Sequence, residues 1–109
     1  LQLVELVPAL ARTFPDLASR GMYLKASLLL YLLAQFDGEM EFDTIRRFSS
    51  IDGLPSPALF EVAGALRYVR DRQADELLLE LLEHDDSAIR WQAANSIQYR
   101  KEKGTPDLA

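Results

Sequence analysis

Apolar residues recur at intervals of three and four along most of the chain, and nowhere do they alternate with period two over a useful length. That pattern predicts six helices and no sheet. The first is expected over residues 1–13, with Pro8 as a kink, and Pro15-Asp16 is expected to turn the chain. A second helix follows over residues 19–36 and stops at Asp37-Gly38, a turn dipeptide. A short third spans residues 43–50, with Ile45 and Phe48 on one side, and ends at Asp52-Gly53. The fourth should start where Ser56 can cap and Pro57 fits the first helical position, and run to residue 71. The fifth is expected over 74–84. The sixth follows Asp85-Asp86, either of which can cap, and runs to 101. Gly104, Thr105 and Pro106 mark residues 103–109 as a frayed tail.

Loops this short favour antiparallel packing of successive helices. Six such helices could form a bundle or a stack of hairpins, and an internal repeat separates the two. Residues 58–68 align with 89–99 at an offset of 31. Ala63 falls on Ala94, Ala65 on Ser96, Leu66 on Ile97, Phe60 on Trp91 and Tyr68 on Tyr99. A fainter copy begins at Met22, with Ala26 and Leu30 in the small and large core positions. Small residues at a seam let helix backbones approach closely. On this ground Ala94 is expected to lie buried where the sixth helix meets a neighbour.

The run Leu77-Leu78-Leu79-Glu80-Leu81-Leu82-Glu83-His84-Asp85-Asp86-Ser87-Ala88-Ile89-Arg90, followed by Ala93-Ala94 and Ser96-Ile97, resembles a bacterial HEAT repeat of the phycobilisome-lyase-like type. That family pattern is a Leu-rich helix, an Asp-rich turn, a Val-Arg pair and an Ala-rich helix. Residues 74–101 match it well and 43–71 moderately, because the helix over 43–50 is short and Leu59 replaces the Arg. Residues 1–36 match weakly. The resemblance implies an all-α, right-handed α-α superhelix of about three hairpins, 1–36, 43–71 and 74–101, in a single domain covering 1–109. It also implies that the second helix of each pair lines a concave face. The family includes scaffolds, chromophore-lyase subunits and DNA-binding enzymes.

Composition narrows the function classes. The 109 residues carry a formal net charge of −5, which argues against binding a phosphate backbone. Arg46, Arg47, Arg67, Arg70 and Arg72 are the densest cations, and the net acidity favours reading them as solvated helix faces. The chain has no cysteine, so disulfides, thiolate metal sites and a Cys nucleophile are excluded, and a reducing cytoplasm is expected. The longest apolar run, Leu28 to Ala34, falls far short of the ~20 residues that cross a bilayer, so no membrane partner is expected. The chain opens in a helix with no initiator Met, as a piece of a longer protein would.

No catalytic, cofactor or metal site emerges. His84 beside Asp85 and Asp86 is the only cluster with ligating groups, and it reads better as a helix C-terminus followed by a cap. Ser, Thr and the carboxylate pairs Glu39/Glu41 and Glu80/Glu83 lack the neighbours that acid–base or nucleophilic chemistry requires. The aromatic stripe is more informative. At about 100° per residue, Trp91, Asn95 and Tyr99 gather opposite Ile89, Ala93, Ser96 and Ile97. Phe60, Gly64 and Tyr68 occupy the matching places in the fourth helix, and Leu24, Leu28 and Leu32 in the second. The expected function is therefore a non-enzymatic protein-interaction scaffold. Leu24, Leu28, Leu32, Phe60, Tyr68, Trp91, Asn95 and Tyr99 would receive a partner peptide or helix. Two other readings stand beside it: a structural repeat module of a larger protein, and a subunit of an enzyme such as a lyase or DNA-repair glycosylase.

Overall fold

A computed structural model of the chain describes residues 3–36 and 40–103. These form six α-helices: α1 Leu3–Ser19, α2 Tyr23–Phe36, α3 Phe42–Ser49, α4 Ser56–Ala65, α5 Gln73–Leu81 and α6 Ser87–Glu102. A single 3-10 turn, Leu66–Tyr68, follows α4. No strand occurs among the described residues. The predicted stop at Asp37-Gly38 and most of the predicted tail lie outside them.

The first helix corrects the expected turn at Pro15-Asp16. α1 runs through both Pro8 and Pro15 to Ser19. Val7, Leu10, Phe14, Leu17 and Ala18 all pack on the core, so one apolar stripe continues past the proline. Burial of that stripe outweighs the hydrogen bond that Pro15 cannot donate. The helix ends instead at Gly21, whose φ of 72° no Cβ-bearing residue adopts cheaply. There the Gly21 N–H donates to the Ala18 carbonyl at 3.1 Å and the Met22 N–H to Leu17 at 3.0 Å. This pair of bonds is the Schellman closure that glycine favours.

α4 also differs from expectation. Its cap position is Pro55 rather than Ser56, and it stops at Ala65 instead of continuing to residue 71. The chain tightens into the 3-10 turn and becomes extended at Val69. The cause sits on α6. Arg100, with no exposed surface, donates to the carbonyls of Leu66 (2.9 Å), Val69 and Asp71 (3.2 Å), and to the Asp75 carboxylate at 2.5 Å. A guanidinium fork can satisfy several divergent acceptors at once, so it ties together an unwound segment whose Leu66 and Asp71 carbonyls also accept the Val69 and Ala74 N–H groups.

The remaining elements follow the sequence closely. Asp86 caps α6 by accepting the Ala88 N–H at 2.9 Å, and so settles which of the two aspartates does so. α2, α4 and α6 form one layer with α4 in the middle. α1 packs on α2, α3 on α4 and α5, and α5 on α6. Between them lies one core that includes Phe14, Leu30, Leu33, Ile45, Phe48, Val62, Leu66, Leu78 and Ile89. Phe48 anchors the first two hairpins together, edge-on to Phe14 at 5.3 Å and to Tyr23 at 6.3 Å. No described helix is long and apolar enough to cross a membrane.

Candidate functional site

The outward surface of the α2–α4–α6 layer is organised around Gly64. A Cβ placed there would lie 2.6 Å from Gln92 Nε2 on α6 and 2.8 Å from the Tyr31 ring on α2. Glycine thus lets side chains from both neighbouring helices meet over α4. Beside it Tyr31, Tyr68 and Tyr99 form a ladder of edge-on rings, with centroids 5.8 Å and 5.3 Å apart. Gln35 touches the Tyr68 hydroxyl at 3.4 Å. Arg67 and Lys103 lie over Tyr99, at 5.8 Å and 5.6 Å from its centroid.

The α4–α6 seam beneath this ladder is polar and satisfied. The Ser96 hydroxyl donates to the Ala63 carbonyl at 2.7 Å and accepts from Arg67 Nε at 3.3 Å. Arg67 also donates to Gln92 Oε1 at 3.1 Å. Arg67 is therefore part of the fold. Arg46 pairs with Glu80 at 2.9 Å and Arg47 with Asp43 at 2.8 Å, so these arginines serve separate local contacts rather than one basic patch.

At the N-terminal ends of the same three helices, Leu24, Pro57, Phe60, Glu61, Ala88 and Ile89 line a shallow groove of about 260 Å³. Burial holds the Glu61 carboxyl above its ordinary value of 4.5. Burial, together with the neighbouring Tyr68, raises Tyr31 above 10.0. A larger cleft of about 610 Å³ opens elsewhere, between Phe42 and Gln73. Two of its carboxylates are already engaged, Asp43 by Arg47 and Asp71 by the Gln73 N–H at 2.8 Å.

The structure distributes the expected site residues over this surface. Leu24, Leu28, Leu32 and Trp91 keep between 42% and 62% of their surface in solvent, and Asn95 is exposed. Phe60, Tyr68 and Tyr99 are half-buried. Tyr68 and Tyr99 touch, and Leu24 shares the groove with Phe60. Trp91 makes no ring contact among the described residues. Tyr31, absent from the expected set, completes the ladder where Leu32 was aligned with Tyr68. Leu32 is one residue further round α2, facing solvent.

Ala94 is the clear correction: it is exposed, and the small residue buried on α6 is Ala93. The expected seam exists between α4 and α6, but it uses Ala63 on one side and Ser96 on the other. Ala94 lies on the side of α6 where the layer stops.

The His84 cluster is a local turn. The Asp86 N–H donates to His84 Nδ1 at 3.0 Å, and Arg90 donates to the His84 and Asp85 carbonyls at 2.7 and 2.8 Å. Among the described residues no group of three or more His, Asp or Glu side chains is arranged to hold a metal ion. Comparison of the chain with family models, with curated proteins and with solved structures returns no match.

Proposed function

We propose that the chain is a non-enzymatic protein-binding module of HEAT-like type, and that the α2–α4–α6 surface receives an amphipathic helix or peptide. One observation carries the reading. Leu24 and Leu28 stand one helical turn apart, each 47% exposed, beside the Leu24–Phe60 groove and the Tyr31–Tyr68–Tyr99 ladder. Apolar and aromatic side chains left open together on one face are stabilised by a partner that covers them. The tyrosine hydroxyls, Gln35, Asn95 and Glu61 around them supply the polar rim such an interface uses. The HEAT-like part of the proposal is supported by the layer of second helices, α2, α4 and α6, each next to the one before, and by the α4–α6 repeat.

The test is selection from a displayed library of helical peptides, followed by mapping of the winning peptide by amide chemical-shift changes. The expected footprint covers Leu24, Leu28, Phe60, Tyr68 and Tyr99. Leu28→Asp is expected to weaken binding by ~2 kcal/mol or more, the size of a buried anchor's contribution, while the melting temperature stays put. Peptides that map to the opposite layer, α1, α3 and α5, would refute the proposal.

A further inference from the structure

The large apolar side chains in solvent are not spread evenly over the α2–α4–α6 layer. Leu24, Leu28, Leu32 and Phe36 belong to α2 and Trp91 to α6, whereas α4 contributes none. α4 is flanked on both sides; α2 and α6 are the edges. At about 100° per residue, Leu24 lies on the same side of α2 as Tyr31, which meets α4. Leu32 and Phe36 turn about 100° and 140° away from it, toward the open edge. On α6, Gln92 meets α4, and Trp91, Gln98 and Ala94 turn between about 100° and 160° away from it.

The internal repeat gives that open edge of α6 a meaning. α4 receives α6 through Ala63, whose carbonyl accepts the Ser96 hydroxyl, and through Arg67, which reaches Gln92 and Ser96. The offset of 31 that aligns the two helices carries Ala63 onto Ala94 and Arg67 onto Gln98, with Phe60 falling on Trp91. All three α6 residues are exposed. α6 therefore repeats the receiving face of α4: a small residue that admits close approach, a long polar side chain one turn on, and an aromatic one turn before.

We infer that the chain associates head to tail with a second copy of itself, the Trp91–Ala94–Gln98 edge of one copy receiving the Leu32–Phe36 edge of the next. The contact continues the α4–α6 interface already present within the chain. It also covers both apolar edges at once, which no occupant of the central groove does. Such a contact joins two different surfaces, so it extends into a series rather than closing on itself as a two-fold dimer. It is independent of the peptide-binding surface, whose test uses Leu28.

The experiment is sedimentation velocity over a concentration series on the whole chain, on Ala94→Arg, on Leu32→Glu and on an equimolar mixture of the two variants. Both positions are exposed, so both variants are expected to melt as the wild type does; Ala94→Gln and Leu32→Ala serve as milder versions of either change. The wild type is expected to grow progressively larger with concentration. Each variant alone, with one edge blocked, is expected to be monomeric. The mixture should form a one-to-one complex and nothing larger, because each variant keeps the edge the other has lost. A wild type that stays monomeric up to its solubility limit would overturn the inference. So would a mixture that fails to associate, or association that Leu28→Asp removes and the edge variants leave intact.

Discussion

Replacing Arg100 by Ala is expected to bring the protein close to unfolding. The side chain is wholly buried and its guanidinium serves three backbone carbonyls and the Asp75 carboxylate, itself only 15% exposed. Stranding a buried carboxylate by removing its partner costs ~3–5 kcal/mol. The Val69 carbonyl, left without a donor, adds up to ~1–3 kcal/mol, reduced where water enters the space the side chain leaves; Leu66 and Asp71 still accept the Val69 and Ala74 N–H groups. A domain is stable by roughly 5–15 kcal/mol in all, so a net loss of ~4–6 kcal/mol leaves little margin. Asp75 Oδ2 already finds no hydrogen-bond partner, which makes the carboxylate more dependent on the arginine.

A double-mutant cycle tells the pair apart from the carbonyls. Arg100→Met with Asp75→Leu removes both charges, and if the ion pair were the whole effect, stability would return nearly to wild type. The structure instead predicts partial recovery, because the Val69 carbonyl loses its donor while Leu66 and Asp71 keep only the Val69 and Ala74 N–H groups. Arg100→Lys keeps the charge but loses the fork and should fall between. Urea unfolding followed by far-UV circular dichroism measures the wild type, both single variants of the cycle, the double variant, Arg100→Ala and Arg100→Lys, since the exposed Trp91 reports poorly on folding. A loss under ~1 kcal/mol for Arg100→Ala, or full recovery in the double variant, would refute the reasoning.

Gly64→Ala should destabilise the fold even though alanine favours helix by up to ~1 kcal/mol, because the new methyl meets Gln92 and the Tyr31 ring and overpacking costs ~1–3 kcal/mol; an unchanged or raised urea midpoint would show that both side chains give way freely. Gly21→Ala should cost ~1–2 kcal/mol through its positive φ alone, since open space surrounds that position; a smaller loss would mean the turn relaxes. Because burial raises the Glu61 carboxyl, the folded state holds its proton more tightly than the unfolded chain, so this contribution is present below the ordinary value and lost as pH rises through the folded one. The wild type should accordingly lose stability relative to Glu61→Gln as pH rises from about 4 toward neutrality, and parallel pH–stability curves would contradict it. Trp91 should emit at long wavelength in the isolated monomer, and Trp91→Ala should change the unfolding free energy by less than ~0.5 kcal/mol; blue emission from the monomer would place the ring in a packed seam.

Helix number and the inward faces were legible because they depend on periodicity. Ile89, Ala93 and Ser96 are buried as their spacing requires, and Asp86 caps as an aspartate before a helical run does. Pro15 misled because proline's local cost was weighed without the stripe Phe14–Leu17–Ala18 that offsets it. The signal that should have won was Gly21, six residues on. Ala94 misled differently. Repeat alignment assigns equivalent positions, but burial also needs a neighbour, and the last helix of a layer lacks one that α4 possesses.

The polar residues of the site were the least readable. Arg100 stands in a run with Lys101, Glu102 and Lys103 and resembles any cationic helix end. Its acceptors lie between 25 and 34 residues earlier, in a segment whose departure from helix is visible only once folded. Gln92 and Tyr31 were likewise hidden, since their positions over Gly64 depend on how two helices approach a third. Local pattern carries the apolar faces, whereas long-range polar contacts are decided by packing geometry.

The Arg100 contacts also bear on how the chain can be divided. A stack of hairpins invites the expectation that any one of them can be cut out, shuffled or added as a self-sufficient part. Here the end of the second hairpin is finished by a side chain from the last turns of the third. During synthesis, the segment after α4 must wait for residue 100 to emerge before its Val69 carbonyl finds the donor it has in the folded chain. A fragment ending before α6 would hold this loop only by its own turns, Val69 N–H to Leu66 and Ala74 N–H to Asp71. Hydrogen exchange should therefore find the amides of residues 66–71 opening together with the C-terminal turns of α6, as one cooperative unit that joins distant parts of the chain.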